Sequence, residues 1–354
     1  MTKGSLMRSA VWALALCAQL CAVSAGPARE VTFLSTSDPH YRQADHRLGQ
    51  HNDLHRATIE EMNRIARLAW PHKLGGGQIA PPRGVVVLGD LIDDGDQRLD
   101  GRTVSAEQYQ LFRADFGLDG TDGLLKFPAF EGWGNHDGPP EGKEKSGFSS
   151  QGEIRKRNLI RQHKGLISNL SSNGLHYAWD WADVHFVQLN LYPADRQRAG
   201  VKYSPVWHDP QGALTFLKQD LAAKVGASGR PVVLMSHCGF DTDWWTKEDW
   251  KDLYDAARDY NIVLYLYGHS GTGVRTWAPE GEAKAWDCIN DGQTDKGFFV
   301  IQLTDHRLRA AMRVKTGVKV TKQPDGSSHH AWGGGWEWKW TLDKALAAPA
   351  TATP

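Results

Sequence analysis

Five short islands of metal-ligand chemistry punctuate this chain in a fixed order. They are Asp38-Pro39-His40, Gly89-Asp90-Leu91-Ile92-Asp93, Gly134-Asn135-His136-Asp137, Met235-Ser236-His237 and Gly268-His269. Four directly follow an apolar, β-branched run that reads as a strand covered on both faces. The third follows a shorter, less regular run, Phe127 to Trp133. This pattern constrains the fold to strands whose carboxyl ends carry Asp, His and Asn side chains, where open α/β sheets place their sites. Hard oxygen donors mixed with imidazoles suit Mn, Fe or Zn in a hydrolytic centre, with Ca as a further candidate.

Further strand-like runs cover Leu175–Trp181, Val184–Leu191, Phe298–Leu303 and Leu308–Val314, besides those at Val31–Ser37, Gly84–Leu88, Pro231–Ser236 and Ile262–Tyr267 that lead into islands. Ala182-Asp183 between two of them predicts a hairpin. Helical periodicity runs through Leu54–Trp70, Gln211–Val225 and Thr246–Tyr260, the last opening on a Thr246–Asp249 capping box. Strand–helix alternation interrupted by hairpins implies a two-sheet α/β sandwich flanked by helices.

The chain has 354 residues, 40% hydrophobic and 23% charged, and a formal net charge of +0. No basic field offers itself to nucleic acid, so that partner is not expected. Lys3 and Arg8, the apolar run Ala10–Val23 and the small residues Val23-Ser24-Ala25 read as a signal peptide over 1–25. The expectation is therefore a secreted or periplasmic protein with no membrane span after cleavage. One domain over 26–344 and a disordered Ala/Pro/Thr tail over 345–354 follow. Cys238 and Cys288 then remain, either as a pair or, the reading favoured here, as small buried side chains. Gly138 to Gly152 reads as an irregular loop beside the third island. The sequence carries no signal for an oligomeric state.

The ordered set of islands resembles the calcineurin-like metallophosphoesterases, whose pattern is D-x-H, GDxxD, GNH[DE], an isolated His and GHxH. The matching region runs from about Val31 to Ser270. The resemblance implies a four-layer α/β/β/α sandwich of two mixed sheets and two divalent metal ions. Asp38 and His40 would bind the first ion, Asp90 would bridge both, and Asn135, His237 and His269 would bind the second. His136 would protonate the leaving oxygen, with Asp93 hydrogen-bonded to it as its orienting carboxylate. The implied activity is hydrolysis of a phosphomonoester or phosphodiester by metal-activated hydroxide. A nucleotide, sugar phosphate or lipid headgroup is the substrate class expected.

The last island departs from the family. It reads Gly268-His269-Ser270-Gly271, so a glycine stands where the second histidine of GHxH would complete the first ion's shell. Water, a backbone carbonyl, His51, His55, His208 or Thr272 could fill that place, or the first site binds weakly. His51 and His55, four apart on a helix, read as solvent-facing or near the substrate mouth. Among 15 tryptophans, Trp244-Trp245 suggest an apolar rim, and Trp336, Trp338 and Trp340 suggest a packed strand face. The alternative to an enzyme is a ligand-binding extracellular module with lost turnover.

Overall fold

The structure is a computed structural model and describes residues 28–44, 51–99, 101–139, 147–201, 204–242, 244–326 and 328–346. The signal-peptide segment, residues 140–146 of the loop after the third island, and 347–354 of the tail lie outside the described residues.

In chain order the strands are β1 (Glu30–Thr36), β2 (Val85–Val87), a ribbon of β3 (Arg98–Leu99) and β4 (Arg102–Thr103), β5 (Ala129–Glu131), β6 (Asn169–Leu170), β7 (Tyr177–Trp181), β8 (Val184–Gln188), β9 (Val232–Met235), β10 (Ile262–Tyr267), β11 (Gly273–Trp277), β12 (Trp286–Asn290), β13 (Gly297–Thr304), β14 (Arg307–Thr316), a hairpin of β15 (Lys319–Lys322) and β16 (Ser328–Ala331), and β17 (Gly335–Ala345). The helices are α1 (His51–Arg64), α2 (Ser105–Phe116), α3 (Ser150–His163), α4 (Ala213–Asp220) and α5 (Lys247–Ala257).

Two mixed sheets form the centre. One has six strands in the order β17-β14-β13-β1-β2-β5, and the other has seven in the order β11-β12-β10-β9-β8-β7-β6. Strands β1, β2 and β5 are mutually parallel, as are β8, β9, β10 and β12. Strand alternation splits the apolar residues between two cores. Val31, Phe33, Val86, Val233, Leu264 and Phe299 join in a core that draws on both sheets and no helix. Their neighbours Leu34, Val85, Val87, Leu234, Tyr265 and Val300 pack with residues of all five helices. This is the α/β/β/α layering expected from the family pattern. Within the inter-sheet core Trp179 stacks between Phe130, at 4.4 Å, and Phe186, at 5.2 Å.

The hairpin at Ala182-Asp183 forms, with Ala182 in the left-handed region and Trp181 opposite Val184. The capping box at Thr246 and Asp249 is present in full. The Gly138–Gly152 stretch, read as irregular, gives way to helix α3 at Ser150, whose N-cap Ser149 accepts from the Gly152 amide. Its apolar stripe is sparse, which is why periodicity missed it. The tail was expected to begin at Ala345, but that residue closes β17 opposite Arg307. On β17 Trp336 and Trp338 pack on the core, whereas Trp340 is 41% exposed. The ladder to β14 shifts register between Ala310 and Met312, and Trp340, with φ 41°, sits in that irregularity.

Candidate metal centre

The islands converge because five parallel strands deliver them to one end of the two sheets. Beyond β1 the chain stays paired with the second island: Asp38, His40 and Tyr41 donate their amides to the carbonyls of Gly89, Asp90 and Leu91 at 3.1, 2.9 and 3.0 Å. Asp38 and His40 were expected on an extended strand end. Instead Asp38, His40, Asp90 and His269 have φ of 49°, 44°, 51° and 65°. Left-handed backbone is uncommon for residues other than glycine and costs roughly 1–3 kcal/mol each in sparsely populated regions, so the surroundings must impose it. Two buried carboxylates help to do so, since Asp38 Oδ2 accepts the His269 amide at 2.9 Å and Asp90 Oδ1 accepts the His136 amide at 2.8 Å.

Close packing of backbone against side chain leaves no space for a Cβ at Gly89. One placed there would lie 2.7 Å from the Gly134 nitrogen and 2.9 Å from His237 Nδ1. Asp137 ties the second and third islands by accepting from Gly134 and Ile92 amides at 2.7 and 3.1 Å. Burial and the Asp90 charge raise the Asp137 carboxyl to about 7. Asn190 ties the third and fourth, accepting the Trp133 amide on Oδ1 while its carbonyl accepts the His237 amide. Neither Asp137 nor Asn190 was singled out from sequence. Asn190 lies at the end of β8, a strand without an island, and its left-handed φ of 59° is the signal the chain offers only once folded.

Asp90 is the hub. Its Oδ2 lies 3.6 Å from His40 Nε2 and 3.3 Å from His237 Nε2. Its Oδ1 accepts the His136 amide, so Oδ2 is the oxygen that faces both histidines. His40 Nε2 also lies 3.6 Å from Asp38 Oδ1. His237 Nδ1 donates to the Leu88 carbonyl at 2.7 Å, which leaves Nε2 facing the cluster, 2.9 Å from Asn135 Oδ1. His269 packs edge-on to His237 with ring centroids 5.1 Å apart. Three sets of donors gather within 4.8 Å of one another: Asp38, Asp90 and His237; His40, Asp90 and His136; His237, Cys238 and His269. Mixed carboxylate and imidazole donors at this density fit divalent cations.

The electrostatics match that use. Burial would lower His40, but Asp38, Asp93 and Asp90 outweigh it and raise the imidazole to about 10. Burial likewise opposes the charge on His237, which Asp90 and Asp38 raise to about 9. Burial disfavours the Asp90 carboxylate, yet His237, His136 and His40 hold it well below its ordinary value. His269 is pushed down to about 4 by burial and by His237, so it is a neutral donor. Divalent cations held there would take the place of the protons on His40 and His237 as partners of the two aspartates.

The sequence model of the calcineurin-like phosphoesterase family matches residues 31–272. The chain belongs to that family. This calcineurin-like phosphoesterase is thus a hydrolase acting on phosphoric ester bonds, and its His/Asp clusters are candidate sites for divalent metals. No curated protein sequence matches it. Among solved structures it is similar to GAP50, the anchor in the inner membrane complex of Plasmodium, with 10% identity, 80% of this chain and 84% of that chain covered, and a TM-score of 0.42. It is also similar to the purple acid phosphatase PPD1 of yellow lupin, with 13% identity, coverage of 81% and 52%, and a TM-score of 0.46. The NAD nucleotidase of Haemophilus influenzae is similar too, with 13% identity, coverage of 86% and 55%, and a TM-score of 0.37.

Other expectations meet a different arrangement in the phosphoesterase. His136 Nδ1 donates to the main-chain carbonyl of Asp93 at 2.7 Å, whereas the Asp93 carboxylate faces His40 and Arg42. The Asp93–His136 contact expected of a side-chain dyad therefore runs through the backbone. His51 and His55 are buried, not solvent-facing: α1 starts at His51, and the two rings pack on each other, on His330 and on Tyr41. Trp245 belongs to the core, with Nε1 donating to the Gly239 carbonyl at 3.0 Å, so it forms no rim. Trp244 packs between His208 and the ligand His269, with ring centroids at 4.1 and 5.0 Å. Cys238 and Cys288 are buried, unpaired thiols. Burial, then Asp90 and Asp38, push the Cys238 thiol well above its ordinary range, so thiol reagents should label it only after unfolding, as quantitative alkylation would show.

At Gly271 the backbone is left-handed, φ 69°, and the space beside it is open. A Cβ there would meet only Asn290 Nδ2, at 3.9 Å. The Thr272 hydroxyl donates to the Gly271 carbonyl at 2.8 Å. His51, His55 and His208 are absent from the donor sets gathered among the described residues.

Proposed function

We propose that the chain is an exported phosphoesterase that hydrolyses a small phosphomonoester or phosphodiester with two divalent cations of unequal hold. The observation that carries this reading is Asp90 Oδ2 poised between His40 and His237, with Asp38 behind one and Asn135 beside the other. Asp38, His40 and Asp90 would hold the first ion, and Asp90, Asn135, His237 and His269 the second. Ions of Mn, Fe, Zn or Ca type held there neutralise phosphoryl oxygens and bring the ionisation of water near neutral pH. His40 and His237 each turn one nitrogen into the donor set, and Asp38 and Asp90 supply the negative charge.

His136 is placed as the acid. Its Nδ1–H is spent on the Asp93 carbonyl, so Nε2 is the atom that hands a proton to the departing alkoxide. Its ring stands edge-on to His40 with centroids 4.6 Å apart, which sets it over the first-ion side. The substrate class is a small organic phosphate such as a nucleotide, a sugar phosphate or a lipid headgroup. The balanced charge of the chain supports a small ligand over a long polyanion. Export rests on the leader-like residues 1–25. No helix of the described residues is long and apolar enough to cross a membrane.

His136→Ala tests the division of labour. The variant should keep both ions by elemental analysis and lose about 10²–10⁴-fold in kcat on aryl phosphate mono- or diesters, the usual range for a positioned acid. Loss of a bound ion would move His136 from the acid to the ligands. Absence of turnover by the wild type with every metal tried would sink the enzymatic reading.

A further inference from the structure

We propose that Asp93 and Arg42 are positioning residues for the metal ligand His40, and that this strut supports the ion site whose shell Gly271 leaves short. The inference rests on the two-cation reading above.

The geometry forms a chain of three side chains. Arg42 forks onto Asp93, Nε to Oδ2 at 2.9 Å and Nη2 to Oδ1 at 3.2 Å. Asp93 Oδ1 lies 3.2 Å from His40 Nδ1, an ion-pair contact without the alignment of a hydrogen bond. The opposite ring atom, Nε2, points at Asp38 and Asp90. A carboxylate set beside Nδ1 of a metal-binding imidazole biases its rotation, tautomer and basicity at Nε2, and such a partner typically carries 10- to 100-fold in metal affinity.

Each member is itself held. The Asp93 amide donates to the Tyr41 carbonyl and to Gln108 Oε1, both at 3.2 Å. The Arg42 main chain is clamped by Asn52, which accepts its amide at 3.2 Å and donates to its carbonyl at 2.6 Å. The side chains of His40 and Arg42 are each 10% exposed and that of Asp93 16%, so water competes weakly for these contacts. A planar fork is needed because a carboxylate gripped at both oxygens cannot swing away from His40.

The strut reaches one ion site only. His237, the corresponding imidazole of the second site, is oriented by the Leu88 carbonyl instead. The site supported by a charged carboxylate is the one with three protein ligands and the open space at Gly271. Asp93 thus serves His40, while its main-chain carbonyl serves His136.

Calorimetric titration of chelator-stripped protein with Mn, following each site, tests this. Asp93→Asn should weaken the first site about 10- to 100-fold and leave the second within about twofold. Arg42→Lys, which keeps the charge and loses the fork, should weaken the first site by a smaller factor, and it also serves if Asp93→Asn fails to fold. In the Zn-loaded wild type, imidazole nitrogen NMR should show a protonated His40 Nδ1 in slow exchange, lost in Asp93→Asn. Unchanged affinity at both sites with a reduced kcat would overturn the strut and return Asp93 to His136. Equal weakening of both sites by Arg42→Lys would overturn it as well. Wild-type protein that binds fewer than two ions would instead sink the two-cation reading, a result separable from the others because it appears before any substitution.

Discussion

Asp90→Asn should empty both ion sites and reduce kcat/KM by at least about 10³-fold, the equivalent of several kcal/mol of lost charge stabilisation. The reason is the position of Asp90 between the two proposed ion sites. Asp90 Oδ2 is shared by His40 and His237, and Oδ1 anchors the His136 amide. Asn keeps the shape and an acceptor for that amide, so the loop that carries Asn135 and His136 stays in place. What it removes is the negative charge at the centre of the cluster. Asp38→Asn should act differently, weakening the first ion and sparing the second, because Asp38 faces His40 and the His269 amide. Elemental analysis after dialysis, set beside kinetics and circular dichroism, separates these cases. Two retained ions and wild-type turnover in Asp90→Asn would remove Asp90 from the hub.

Much of the centre is legible in sequence because its ligands sit where strands end. An apolar run followed by Asp, His or Asn is a local pattern, and the parallel strands carry it to one place. That Gly89 and Gly134 pack against side chains of other islands shows only in the folded chain. What the sequence hid is long-range. Arg42 and Asp93 meet only because the loop after β1 runs beside the second island, and Asn190 reaches the third and fourth islands from a strand that carries none. The burial of His51 and His55 was missed because an i, i+4 pair does not say which face of a helix is covered. Their cover includes His330, nearly three hundred residues away. Helix α3 was hidden by charge, since Arg157 and Arg161 point inward from it to a partner on β5.

That partner sets the largest stability effect expected in this chain. Glu131→Ala should cost about 3–5 kcal/mol, the range for breaking a buried charge network by removing one member. Glu131 and Arg161 are fully buried, and Arg157 is nearly so. Arg157 Nε donates to Glu131 Oε1 at 2.6 Å, and Arg161 Nη2 donates to Oε2. Arg161 also caps the Ala129 carbonyl at 2.8 Å, and Tyr177 donates to the Glu131 carbonyl at 2.9 Å. The network therefore locks α3 to β5, the strand that leads to Asn135 and His136. Without the carboxylate, two guanidinium groups remain in a site that water does not reach. Burial alone would raise the Glu131 carboxyl, but Arg157 and Arg161 outweigh it and hold it below its ordinary value. Its contribution is thus fully present above the ordinary glutamate range and drains away as pH falls through the depressed folded value. Chemical denaturation at neutral and acidic pH reads both effects: the gap between wild type and Glu131→Ala should be widest at neutral pH and narrow on acidification. Replacing Glu131, Arg157 and Arg161 together by apolar residues of similar volume should cost less than Glu131→Ala alone, since it strands no charge and leaves the Ala129 and Gly117 carbonyls and Asn158 Oδ1 without these donors. A Glu131→Ala loss below about 1 kcal/mol would mean that the arginines find water, and that the lock on β5 lies elsewhere.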